Sequence, residues 1–138
     1  MYKISKEFSF SMGHRLSKHR GLCKNFHGHN YKLIVGIKSE HLNDADMVMD
    51  FGDLKYIVNE VIDYFDHAFM INTDDKIMIE KMRDVLPDLK ILAVPYEPTA
   101  EKMAWAIYKH VASKLRSPVQ IDYITVYETD TSQATYTE

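Results

Sequence analysis

Residues 10–14 read Phe10-Ser11-Met12-Gly13-His14, and residues 23–31 read Cys23-Lys24-Asn25-Phe26-His27-Gly28-His29-Asn30-Tyr31. The way these two stretches lie against each other decides the fold. Tyr2, Ile4, Phe8, Phe10 and Met12 alternate with Lys3, Ser5, Glu7, Ser9 and Ser11, with Lys6 as the one interruption. That period of two predicts a half-buried strand, and His14 falls in its apolar phase just past the end. Tyr31, Leu33, Val35 and Ile37 predict a second strand whose phase His27 and His29 share, so both side chains leave by one face. Antiparallel pairing would set the end of the first strand beside the start of the second and bring the three histidines together.

Three neutral imidazoles suit one divalent ion, with zinc the default. They leave a fourth tetrahedral position open, as in catalytic rather than structural sites. The competing reading is that these rings satisfy local backbone groups. His19, His41 and His110 lack such partners in the pattern and read as surface or hydrogen-bonded residues. Cys23 has three readings: a small buried apolar residue, a fourth metal ligand, or a base or nucleophile favoured by a nearby dication and Lys24. Between the strands, residues 15–26 carry Arg15, Lys18, His19, Arg20 and Lys24. They form either a solvated loop or a cradle for a phosphorylated substrate.

Farther along, Leu54, Ile57, Val58, Val61, Ile62 and Phe65 keep the spacing of an amphipathic helix, with Asp53 as candidate cap. A second helix is predicted from about Thr99 to Leu115, after Pro98, with Thr99 capping and Glu101 in the first turn. Residues 119–128 predict a third strand and Ala134 to Tyr136 a fourth. Residues 74–94 are harder to place: Met78, Met82, Val85 and Leu86 suggest a short helix, and Ile91 to Val94 a short extended piece. The order indicates an α+β fold on a four-stranded antiparallel sheet, whose free edges a closed ring of subunits would remove. Asp66-His67, after the first helix, is either a helix end or a proton-transfer pair. Glu128 is in phase with Ile124 and Val126 and so points to the covered face. It is either a strand-end acid, exposed or paired with a lysine, or it accepts two parallel hydrogen bonds from a guanidine-like edge, such as that of a pterin or guanine.

At 138 residues the chain reads as a single domain, 1–138, with 46% hydrophobic and 27% charged residues. The formal net charge of −3 gives no reason to expect nucleic acid or an anionic membrane as partner. One cysteine cannot form an internal disulfide, the first residues lack the apolar stretch of a signal peptide, and no apolar run spans a bilayer. The expected setting is cytoplasmic.

Six segments in order resemble the 6-pyruvoyl-tetrahydropterin synthase superfamily, closest to its bacterial carboxy-forming branch of 7-deazaguanine (queuosine) biosynthesis. They are Phe10 to Leu16, Cys23-x-x-x-His27-Gly28-His29-Asn30-Tyr31, Met49-Asp50-Phe51 with Leu54-Lys55, Asp66-His67, Pro98-Thr99-Ala100-Glu101, and Tyr127-Glu128-Thr129. Residues 74–95 have no counterpart. The resemblance implies a zinc ion held by His14, His27 and His29, with Cys23 as general base and Asp66 with His67 as proton relay. It also implies Glu128 as anchor of the pterin ring, assisted by backbone around Thr99. The implied tunnelling fold packs two main helices on one face of a four-stranded antiparallel sheet. Three such sheets close into a barrel, trimers stack into a homohexamer, and active sites lie between subunits. The implied substrate is 7,8-dihydroneopterin triphosphate, converted to a carboxytetrahydropterin with loss of acetaldehyde and triphosphate. The three residues between Cys23 and His27 fit this branch; a pyruvoyl-forming lyase is the nearest rival, and a non-catalytic pterin- or zinc-binding oligomer a more distant one. Met12-Gly13, Glu97 and Asp46 depart from the usual pattern without touching a proposed catalytic group.

Overall fold

The computed structural model describes residues 1–138. In chain order the elements are β1 (Tyr2–His14), β2 (His27–Ser39), α1 (Phe51–Phe65), β3 (Phe69–Asn72), α2 (Lys76–Val85), β4 (Ile91–Val94), α3 (Ala100–Lys114), β5 (Gln120–Thr129) and β6 (Ser132–Tyr136). β1 and β2 run the full length the alternation predicts and pair antiparallel, with no break at Lys6. Their register sets Phe10 opposite Tyr31, Met12 opposite His29 and His14 opposite His27. β5 pairs antiparallel with β2, and β6 with β5.

The sheet is nevertheless larger than four strands, and it is mixed. Its order is β4-β3-β1-β2-β5-β6, with β3 parallel to both β1 and β4. β3 escapes the sequence pattern because Phe69-Met70-Ile71 is a short, continuous apolar run rather than an alternation. Parallel strands covered on both faces take that form. Met70, Ile71 and Asn72 are all buried. Linking the parallel pair β3 and β4 requires a crossover, and α2 supplies it. α2 and β4 thus match the short helix and extended piece expected between residues 74 and 94.

α1 and α3 cover the apolar face. Leu54 and Val58 of α1, and Met103, Ile107 and Val111 of α3, are fully buried in one core with Leu33, Val35, Ile37 and Ile124. Complete burial of each such side chain contributes about 1.5–3 kcal/mol, which holds both helices against the sheet. α1 starts earlier than the apolar spacing alone suggests. Its cap is Asp50, whose Oδ1 accepts from the Gly52 amide at 2.6 Å, and Asp53 lies inside the first turn. α3 is capped by Thr99 as expected. Asp46 adopts a left-handed backbone, φ 57°, which accounts for a position where glycine is favoured. Across the far end of the sheet, Asp122 on β5 reaches Lys3 on β1 at 2.8 Å and Lys38 on β2 at 3.0 Å. No helix is long and apolar enough to cross a membrane.

Candidate active site

The β1–β2 register delivers the three expected imidazoles to one place. Ring centroids lie 4.5 Å apart for His14 and His27, 5.2 Å for His14 and His29, and 5.1 Å for His27 and His29. One ligating nitrogen from each falls within 4.8 Å of the others. His14 is fully buried at the strand end, and His27 and His29 are half-buried.

Their hydrogen bonds fix which nitrogens face inward. His14 Nδ1 lies 2.8 Å from the Pro98 carbonyl oxygen, and His27 Nδ1 lies 2.8 Å from the Asn25 carbonyl oxygen. A carbonyl only accepts, so both Nδ1 atoms carry hydrogen, and in the neutral rings that ligate a metal both Nε2 atoms present lone pairs. Those two Nε2 atoms face each other at 2.9 Å. Two lone pairs at that distance repel unless a cation stands between them. His29 Nε2 is buried and unpaired: Glu128 Oε1 is 3.1 Å away, but not in a direction that completes a hydrogen bond. Burial pushes the imidazolium forms of His14 and His29 out of favour, so both rings are held neutral, as metal ligation requires. The donor set fits a divalent ion, and backbone carbonyls orient two of its rings by accepting from the nitrogen that faces away from the centre.

Tyr31 and Pro98 belong to this centre although sequence reasoning gave neither a part in it. The Tyr31 hydroxyl lies 3.4 Å from His14 Nδ1, and burial, then the nearby Glu128 charge, pushes its ionisation up. Tyr31 shares the phase of His27 and His29, so its place was readable; the Pro98 contribution is a carbonyl and leaves no side-chain signature.

Glu128 points to the covered face, as its phase predicts, and joins the imidazoles beside His29. Asp66 and His67 form a pair at the junction of α1 and β3. Asp66 Oδ1 accepts from the Ser11 amide at 2.9 Å, while Oδ2 lies 2.8 Å from His67 Nδ1. The Ser11 amide first, and His67 second, hold the Asp66 carboxyl below its ordinary range, so it is an anion and His67 Nδ1 donates to it. His67 has φ 58°, and its amide donates to the Ser11 carbonyl at 2.7 Å, which turns the chain back along β1. His67 and His29 line one open cavity of about 380 Å³, together with Ser11, Gly13, Gly28 and Asn30. Gly13 and Gly28 face each other across the strands, where a Cβ on Gly13 would meet the Phe69 ring at 2.8 Å.

Two expected residues contribute no side-chain atom to the converging ligands. Cys23 lies half-buried on a single 3-10 turn, Leu22–Lys24, and its sulfur is not among the converging ligand atoms. Thr99 uses its hydroxyl to cap α3, accepting from the Lys102 amide at 3.3 Å. His19 and His41 are exposed, and His110 on α3 sits by Glu60 of α1 at 3.3 Å.

The 6-pyruvoyl tetrahydropterin synthase family model matches residues 3–138. A Haemophilus influenzae protein named 6-carboxy-5,6,7,8-tetrahydropterin synthase is 39% identical, covering 100% of both chains. Among solved structures, an uncharacterized Wolinella succinogenes protein superposes with a TM-score of 0.84 at 22% identity, covering 99% of this chain and 98% of that one. Caenorhabditis elegans 6-pyruvoyl tetrahydropterin synthase superposes with a TM-score of 0.73 at 26% identity, covering 99% and 95%.

Proposed function

This chain belongs to the 6-pyruvoyl tetrahydropterin synthase family, and from that premise we propose that it is a zinc-dependent 6-carboxytetrahydropterin synthase. Its substrate is 7,8-dihydroneopterin triphosphate, its products a 6-carboxytetrahydropterin, acetaldehyde and triphosphate, and its setting the cytoplasmic route to 7-deazaguanines such as queuosine. The observation that carries the reading is the convergence of three imidazoles, with His14 Nε2 and His27 Nε2 2.9 Å apart, beside the Glu128 carboxyl. The choice of the carboxy-forming branch is supported by the full-length Haemophilus relative.

A zinc ion held by His14, His27 and His29 would supply Lewis-acid polarisation of the side-chain oxygens. Glu128 holds the pterin, its two oxygens accepting from the ring N–H and amino group. Cys23 accepts a proton from the substrate side chain as the dihydro ring becomes tetrahydro. The Asp66 anion fixes the His67 tautomer, leaving Nε2 as the atom that exchanges a proton on the other side. The Asp66 contact to the Ser11 amide keeps this relay in register with β1. Backbone around Thr99 assists at the pterin edge. The sheet ends in two short edge strands, β4 and β6, and closure of three sheets into a barrel, with two trimers stacked as a hexamer, would cover such edges.

Incubating the purified protein with dihydroneopterin triphosphate and zinc tests the reaction. Acetaldehyde and a carboxypterin are the expected products; a diketo side chain would assign the chain to the pyruvoyl-forming branch, and tight pterin binding without turnover to a binding role. For the anchor, Glu128→Ala is expected to weaken pterin affinity about 100-fold, since two hydrogen bonds to a charged acceptor are lost. Zinc stoichiometry should persist. Calorimetric titration with a pterin checks this, and unchanged affinity would remove Glu128 from that role.

A further inference from the structure

Apart from Phe26, which meets the Phe69 ring edge-on with centroids 5.3 Å apart and stays exposed, the loop bearing Cys23 has no apolar anchor. None of residues 15–26 is buried, and apart from the 3-10 turn they form no regular element. What fixes them is a set of polar tethers. The Leu16 amide donates to the Cys23 carbonyl at 2.9 Å, and Arg15 Nη1 donates to the Lys24 carbonyl at 2.8 Å. Arg15 Nε also donates to Asp75 Oδ2 at 2.6 Å, an ion pair only 24% and 14% exposed on its two sides and so partly shielded from solvent. Ser17 Oγ donates to Glu97 Oε1 at 2.6 Å, and the Lys18 amide to Glu97 Oε2 at 3.4 Å. Asn72, fixed at the end of β3, donates to the same Glu97 Oε1 at 3.0 Å.

Two features set these acids apart from ordinary surface pairs. Asp75 occupies the N-cap position of α2 but makes no side-chain cap hydrogen bond. An aspartate there ordinarily accepts from the first-turn amides; this one faces Arg15 instead. A local rule broken in favour of a long-range contact is the signature of a functional constraint. Glu97 directly precedes Pro98, the residue whose carbonyl orients His14. The loop and the buried imidazole are therefore tied to one short segment of backbone. The start of α2 thereby acquires a task.

We propose that Asp75, through Arg15, and Glu97, through Ser17 and Lys18, are positioning residues that hold the Cys23 loop at a set distance from the metal-ligand cluster. The proposal rests on the reading of Cys23 as the base. Misplacing a reacting group by about 1 Å can cost on the order of 100-fold in rate.

The test uses the full-length, zinc-loaded protein and the variants Asp75→Asn and Glu97→Gln, singly and together. Cys23 is the only cysteine, so the rate of iodoacetamide alkylation reports on this loop alone, and amide exchange over residues 16–24 reports on its tethers. Each variant is expected to quicken that exchange roughly 10-fold, to change the alkylation rate several-fold, and to lower kcat about 10- to 100-fold. KM and zinc content should stay within about twofold, since neither acid touches the imidazoles or the pterin anchor. Asp75→Glu, which keeps the charge, should recover part of kcat. Unchanged exchange and alkylation would overturn the proposal, as would a loosened loop with unaltered kcat. If the double variant does not fold, Asp75→Asn alone decides, because its side chain lies outside the apolar core. Full turnover by Cys23→Ala would instead sink the base assignment, while exchange and alkylation would still decide whether the two acids hold the loop.

Discussion

Replacing His14 with alanine is expected to abolish stoichiometric metal binding, lowering affinity at least about 1,000-fold, and turnover should fall with it. A three-ligand site reduced to two loses more than the roughly 10- to 100-fold typical of disturbing an outer-shell partner. His14 is also the most constrained ligand: it is fully buried, with Nδ1 bound to the Pro98 carbonyl. Its removal leaves that carbonyl and the Tyr31 hydroxyl without their partner and opens a cavity, so the variant should also lose about 1–3 kcal/mol of stability. His27→Ala separates ligation from folding. That ring is half-buried and makes its one backbone bond within the loop, to Asn25. It should bind metal as poorly while keeping a melting temperature close to that of the parent apo-protein. Elemental analysis after dialysis against metal-free buffer checks both. A 1:1 metal content in His27→Ala would remove the trio as the binding site.

The centre was legible in the chain because strand periodicity carries side-chain direction. Once Tyr2 to Met12, Tyr31 to Ile37 and residues 119–128 are strands, the phases of His14, His27, His29 and Glu128 follow, and the observed register of His14 against His27 completes the convergence. α1 and α3 were legible for the same reason at a different period. β3 was not, because four residues paired in parallel show neither alternation nor turn chemistry. Without β3 the sheet reads as four antiparallel strands, and the parallel crossover through α2 has no place. Contacts made by backbone or by ion pairs distant in sequence leave no periodic trace. The Pro98 carbonyl, the Ser11 amide on Asp66 and the Arg15–Asp75 pair, 60 residues apart, are all of this kind. Asp50, not Asp53, caps α1 because the helix runs one turn beyond its buried stripe, and amphipathic spacing marks only the stripe.

Replacing Cys23 with alanine is expected to lower kcat about 1,000-fold or more and to leave one bound metal ion per chain. General-base contributions run to about 10²–10⁴-fold, and alanine supplies no proton acceptor. Pterin affinity should change little, since the anchoring carboxylate, Glu128, lies with the imidazoles and not on the loop. Metal retention follows from the geometry: three nitrogens converge without the sulfur. The sequence left open whether Cys23 is a fourth ligand, a reactive group or an inert apolar residue, and this variant discriminates among the three. Loss of metal with loss of turnover would make it a ligand and require the 3-10 turn to move. Unchanged turnover would make it inert and shift the base to another side chain. Loss of turnover with full metal content and full pterin binding is the outcome expected from the proposed role. Cys23→Ser sharpens the result: a hydroxyl preserves the size of the thiol but is a far weaker acid, so its conjugate base is scarce near neutral pH. Serine should therefore rescue almost none of the rate while restoring any packing that alanine disturbs.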